Sequence, residues 1–180
     1  MSDLLEELPG EPMMWVLIVS ELLVFGAGLA AFAALRITDP AGFAEAQSHL
    51  DRAGAAFNTM VLVTSGLLAA LAVRAAEAGN ETRKRLLLIA AMALGILFLV
   101  VKGREYADKA AAGIGWDSHQ FFTFYYLLTG FHAAHVLAGI LLLGLVGILQ
   151  SPRATETGAA FWHMVDLVWV LLFPVIYLIR

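Results

Sequence analysis

The 180-residue chain has no cysteine, which excludes disulfides, thiolate metal sites and cysteine nucleophiles and leaves the cellular compartment open. Charge is scarce: Asp, Glu, Lys and Arg make up 14% of the residues, and the net charge of −4 is spread over connecting segments, with no basic face suited to nucleic acid. Lys and Arg are absent before the first apolar run, and no small-residue cleavage pattern follows it. The beginning MSDLLEELPGEP therefore reads as a short acidic segment, residues 1–12, and not as a signal peptide. Internal repeats and long low-complexity tracts are also missing. What the chain does have is apolar bulk, with 61% hydrophobic residues and a mean hydropathy of +0.81, far from the balance of a soluble domain.

Crossing a bilayer takes roughly 20 mostly apolar residues, the hydrocarbon thickness divided by the helical rise. Five runs approach or meet that length: Met13 to Leu35, Phe57 to Ala76, Leu86 to Tyr106, Phe121 to Leu149 and Ala159 to Ile179. The runs are continuous and do not alternate with period two, so helices are expected and not a barrel. The expected fold is an all-α integral membrane bundle of five transmembrane helices, forming one domain over residues 13–180. Arg74, Arg83, Lys84 and Arg85 make the second connection the most basic, which places it, and with it the amino terminus, on the cytoplasmic side. Lys102, Arg104 and Lys109 pull the other way. Trp15, Trp116, Trp162 and Tyr177 fall near span ends, where amphipathic rings anchor at the interface. Lys102, Arg104 and Arg153 are expected to snorkel to headgroups.

Polar residues inside the runs are few enough to take singly. Glu21 lies roughly 12 Å along the first helix at 1.5 Å per residue, a costly depth for a carboxylate. It shares its face with Leu17, Ile18, Val24, Phe25 and Gly28. Two readings stay open, a proton-linked site or conduit and a glutamic acid that fixes helix packing. In the fourth run Thr129, His132, His135 or Val136, and Gly139 recur every three or four residues, so both imidazoles project from one face. H-x-x-H is half of a metal site, and His163 with Asp166 offers another N/O pair.

A carboxylate di-iron centre wants several Asp or Glu ligands, and two buried carboxylates are expected here. One imidazole of the fourth run with His163 also suits axial haem ligation, although His49 and His119 lie in connections and supply no second pair. The remaining reading is that the imidazoles and Asp166 hydrogen-bond between helices where no water is available. Trp162, Asp166, Trp169 and Phe173 fall on one face of the last helix, a face suited to lipid or another subunit. Gly26, Gly28, Gly139, Gly144 and Gly147 permit close helix approach.

Five motifs occur in order: VSELLVF with Glu21, NTMVLVTSG from Asn58, KGREY ending at Tyr106, TGFHAAHVLAG, and FWHMVDLVWVLLF. Together, from about Trp15 to Tyr177, they closely resemble subunit III of the haem-copper oxidase superfamily. The longer members of that family have seven spans, so the resemblance implies a five-helix variant whose lipid cleft is incomplete. The short length and the ending WHMVDLVW followed by LLFPVIYLIR look most like the E-type accessory protein encoded with bacterial nitric oxide reductases. The alternative within the family is a short subunit III of an aa3-type cytochrome c oxidase.

The resemblance implies a multi-pass protein of the bacterial inner membrane with its amino terminus cytoplasmic and its carboxyl terminus outside. It also implies no haem or copper and no activity of the chain's own within an oxidoreductase complex. The implied partners are the catalytic subunit and membrane lipids, with phospholipid held between helices. The family pattern maps the polar core onto Glu21, His132, His135, His163 and Asp166. Residues of structural importance by the same mapping are Ser20, Asn58, Thr59, Glu105, Tyr106, Thr129, Gly130, Trp162 and Trp169.

Overall fold

Side-chain caps mark where most of the helices begin. Asp39, Asp51, Asn80 and Ser151 accept from the backbone N–H three residues on, and Pro40 and Pro152 follow two of them at the first helical position. His119 Nδ1 accepts from the Phe121 amide. Two helices stop just before glycines at positive φ, Gly79 at 70° and Gly113 at 73°, a conformation that costs glycine least.

The computed structural model describes residues 12–179, and residues 1–11 of the acidic segment lie outside them. Within that range six helices run in order: α1 Pro12–Thr38, α2 Pro40–Ser48, α3 Arg52–Glu77, α4 Glu81–Ala111, α5 Gln120–Ile148 and α6 Pro152–Phe173. A π-helical turn over Pro174–Leu178 continues α6. All but α2 are long and apolar enough to cross a membrane, and the described residues contain no strand. The five-span, all-α architecture is the one expected.

The helices exceed the apolar runs at most of their ends. The first continues to Thr38, the second begins at Arg52 and the last at Pro152, because hydropathy marks the stretch that avoids water whereas the hydrogen-bonded helix continues into polar flanks. The nine-residue α2 went unforeseen. Its sequence signal is local, a capping Asp39 followed by Pro40.

The bundle is centred on α6, which packs against α3, α5 and α1, while α4 lies between α3 and α5. Burial follows: in the most apolar window of each, 56% of α6 is buried inside the protein and only 11% of α1. Lipid tails are as apolar as leucine, so close packing and polar contacts hold such helices together. Trp162 is fully buried between α4 and α5, and a Cβ on Gly139 or Gly95 would come within 2.6 or 2.7 Å of its ring. These two glycines make the room for the indole. Trp162 and Tyr177 are therefore core side chains and not interfacial anchors, whereas Trp116 is largely exposed, as an anchor should be.

Candidate functional site

The polar residues separate into three groups. At the middle of the bundle His132 is sealed from solvent, stacked on Trp169 at 5.1 Å and meeting Phe98 edge-on at 5.5 Å. Neither ring nitrogen has a hydrogen-bond partner, which departs from the expectation that it would bond between helices. His135, one turn on, differs. Its Nδ1 lies 2.9 Å from the Phe131 carbonyl of its own helix, and its Nε2 lies 3.1 Å from Glu21 Oε2 on α1. That approach has the distance of an ion pair without the alignment of a hydrogen bond, since Oε2 has no hydrogen-bond partner. Phe25 covers both imidazoles edge-on. Ser20, beside Glu21 in sequence, is exposed and donates to Leu17 O on its own helix.

The second group lies on α6. His163 Nδ1 is 3.6 Å from Asp166 Oδ2, so this pair is formed within one helix and not between two. Gly66 gives the carboxylate its space, since a Cβ there would run into Asp166. Asp166 Oδ1 is buried without a partner. His163 is open on one side and lines a pocket of about 400 Å³ with Trp15, Arg74, Glu77 and Glu156.

His132 and His163 thus occupy unlike surroundings, one enclosed by rings and the other at a charged rim. Among the described residues no group of three or more His, Asp or Glu side chains is placed to hold a metal ion. The face of Trp162, Asp166 and Trp169 points into the bundle, which corrects its assignment to lipid or another subunit. Facing the core, it meets the glycines and hydroxyls of α3, α4 and α5.

The third group, at the opposite end of the spans from the basic connection, was misread in the sequence. Lys102 is 2% exposed and does not snorkel. Its Nζ donates to Glu105 Oε2 at 2.8 Å, Tyr125 at 3.2 Å and Tyr177 at 2.5 Å, and it sits 4.7 to 5.4 Å from the ring centroids of Tyr106, Tyr125, Trp169 and Tyr177. Tyr177 in turn donates to Glu105. Lys109 lies 3.9 Å from Glu105 and donates to His49 O. Glu105 is therefore a third enclosed carboxylate, one more than expected. The Lys102 Nζ is enclosed by a paired carboxylate, two phenol oxygens and the faces of four rings.

The other family-motif residues hold helices together. The Tyr106 hydroxyl lies 2.5 Å from that of Thr129, and Thr129 donates a hydrogen bond to Tyr125 O. Trp169 donates to Thr59 at 2.9 Å, Asn58 to Phe98 O at 3.2 Å, and Trp162 to Ser65, which donates to Ala91 O. A Cβ added at Gly130 would reach only ordinary contact with the Tyr106 hydroxyl, at 3.9 Å.

Sequence reasoning missed three further contributors. Buried Gln47 on α2 donates to the carbonyls of Ile176 and Ile179. Buried Lys84 donates to Leu149 O at 2.6 Å and pairs with Glu81. Tyr125 completes the cage around Lys102. A signal existed for the cage, since Lys102 and Glu105 stand three apart on one helical face, but none existed for Gln47.

Comparison with known proteins gives the family. Residues 12–179 match the family described as cytochrome c oxidase subunit III. The chain is 33% identical to cytochrome c oxidase subunit 3 of Corynebacterium diphtheriae, over 92% of this chain and 86% of that protein. It is 30% identical to the probable cytochrome c oxidase subunit 3 of Mycobacterium bovis, over 89% and 83%. It is also 31% identical to a haem-copper oxidase subunit I+III of Aeropyrum pernix, over 92% of this chain but only 22% of that longer one. With its five spans, its internally paired polar core and a match over nearly its whole length, the chain belongs to the cytochrome c oxidase subunit III family.

Proposed function

We propose that this protein is the subunit III of a cytochrome c-type haem-copper oxidase, an accessory subunit that packs against the catalytic subunit and carries out no electron transfer itself. The observation that carries this reading is the similarity over some nine-tenths of the chain to proteins named as cytochrome c oxidase subunit 3. The Aeropyrum relative, which joins subunits I and III in one chain, supports the catalytic subunit as the neighbour. The geometry is in keeping, because most of the buried polar groups are committed to one another: Lys102 to Glu105, Trp162 to Ser65 and Trp169 to Thr59. Such pairing serves a scaffold better than a reaction. Glu21 beside His135 likewise supports a packing role over a solitary conduit carboxylate.

The more specific expectation, an accessory protein of nitric oxide reductase, gains no support from these relatives, and the oxidase alternative takes the lead. We place the protein in the bacterial cytoplasmic membrane, with Arg74, Arg83 and Arg85 on the cytoplasmic side. Phospholipid is the ligand assigned to the pocket of about 400 Å³ beside His163, where cationic Arg74 and anionic Glu77 and Glu156 border apolar Val73, Ala159 and Ala160.

The test is purification of the tagged chain in mild detergent, from cells grown aerobically and from cells grown on nitrate, with a visible haem spectrum and identification of co-eluting proteins. Oxidase subunits with their haem spectrum are the expected result. Nitric oxide reductase subunits would move the protein to the other branch, and a colourless solitary chain would overturn the accessory reading altogether.

A further inference from the structure

The connection between α4 and α5, residues 112–119, is fastened along its length. Ile114 N donates to Lys109 O, and Ile114 O accepts from the Tyr126 hydroxyl at 2.9 Å. The Ser118 hydroxyl accepts from the Gly115 amide and the Trp116 carbonyl accepts from Thr123, both at 2.8 Å. Between this held loop and the adjoining turns of α4 and α5 lies a pocket of about 730 Å³, a size that suits a small molecule. Tyr106, Tyr126 and Trp116 line it. The two tyrosine rings stand 5.1 Å apart at 60° and so form a corner. Their hydroxyls are engaged elsewhere, with Thr129 and with Ile114 O, which leaves ring surface to the pocket. Trp116 supplies a further wall with 68% of its surface open.

Among the described residues lining this pocket, Asp117 carries the only charge. Its carboxylate folds back over the loop beside Gly115, where a Cβ would lie 2.7 Å from Oδ1. The neighbouring cations are turned elsewhere: Lys109 donates to His49 O, and Lys102, 5.3 Å from the Tyr106 centroid, is paired with Glu105. An anion would thus meet a carboxylate and no cationic side chain. Ring faces attract a cation held within roughly 6 Å of their centroids, and a carboxylate at the rim favours the same sign of charge. We infer that the pocket is a binding site for an organic ammonium group, with its methyl or methylene carbons against Tyr106, Tyr126 and Trp116 and its charge towards Asp117. An indole that only anchored the loop at the interface would need neither the pocket nor the carboxylate. The loop adjoins the ends of two spans, so the group belongs either to a free quaternary amine or to an amine-bearing lipid headgroup. The site does not rest on the identity of the partner enzyme.

The full chain, labelled with 5-fluorotryptophan and purified in a maltoside detergent that has no ammonium group, gives a fluorine resonance for each of its four tryptophans. That of Trp116 is identified by its absence in Trp116→Phe. Choline is expected to shift the Trp116 line saturably, whereas 3,3-dimethylbutan-1-ol, the same shape without the charge, should leave it in place at equal concentration. Asp117→Asn should weaken choline roughly tenfold, and Asp117→Glu should recover most of that loss. A short-chain phosphatidylcholine that acts at lower concentration than choline, or acts alone, assigns the site to a lipid headgroup; equal or lesser potency assigns it to a free amine. Short-chain phosphatidylglycerol, which lacks the ammonium, should be silent in both cases. A Trp116 line unmoved by both choline and phosphatidylcholine would overturn the site. An equal response to the alcohol or to phosphatidylglycerol, or full affinity for choline in Asp117→Asn, would overturn its preference for a cation.

Discussion

Lys102 concentrates the energetics of the bundle at one side chain. Removing one partner of a buried ion pair leaves the other charge uncompensated, at a cost of about 3–5 kcal/mol. Lys102→Met should therefore strip Glu105 of its nearest cation and lower the thermal unfolding midpoint of the protein in nanodiscs by many degrees. Combining it with Glu105→Gln should restore much of the loss, and equal loss in single and double variants would contradict the pairing.

Asp39 responds to pH in the opposite setting, exposed at the start of α2. The Gly42 amide, followed by His119, holds its carboxyl below the usual range. A depressed carboxyl stabilises the fold above its unfolded pKa of about 4, and that contribution is lost as pH falls through the lower folded value. The acid limb of a stability-against-pH curve should be shallower in Asp39→Asn than in the parent. At this scale the sequence marked Glu21, His132, His135, His163 and Asp166 as unusual, because a polar residue in an apolar run stands out by itself. It did not show that Glu21 meets His135 or that His132 meets only rings, since both facts depend on how α1, α4, α5 and α6 rotate against one another.

Glycines and short ties decide how the elements fit. A Cβ on Gly139 would lie 2.6 Å from the Trp162 ring, whereas one on Gly26 would meet nothing within 4 Å. Gly139→Ala is accordingly expected to destabilise by about 1–3 kcal/mol through overpacking, and Gly26→Ala to be neutral or slightly stabilising; chemical unfolding of the two variants side by side checks the contrast. Gln47 ties α2 to the π-helical end of α6 through two carbonyls. Gln47→Leu should speed amide hydrogen exchange over residues 175–179 and leave the α4 amides around Lys102 unchanged. The spans themselves were legible because each needs only its own apolar content. The extent of each helix, the existence of α2 and the inward face of Trp162 and Trp169 were not, because capping geometry and partner helices determine them.

Across the whole molecule the charged ends are unequal. Arg74, Arg83 and Arg85 gather near the α3–α4 connection, while Lys102 and Lys109, which weakened the orientation argument in the sequence, are 2% and 6% exposed and turned inward. The positive-inside rule counts Lys and Arg near the span ends, and with these two enclosed Arg104 is the exposed one of the three cations at that end. A single cysteine placed at Ala78 should react with an impermeant maleimide only after the cytoplasmic side is opened, and one at Gly113 without opening it.

The cage around Lys102 also constrains how the protein is made. Its walls come from Tyr125 on α5, Trp169 on α6 and Tyr177 on the π-helical turn that continues α6, all synthesised after α4. Until α6 has entered the bilayer, α4 holds an ammonium with part of its enclosure missing, and a lone charge in a span is costly. Biogenesis therefore favours keeping α4 beside the insertion machinery until α6 arrives, so that a helix translated well after α4 is the one that seals its charge.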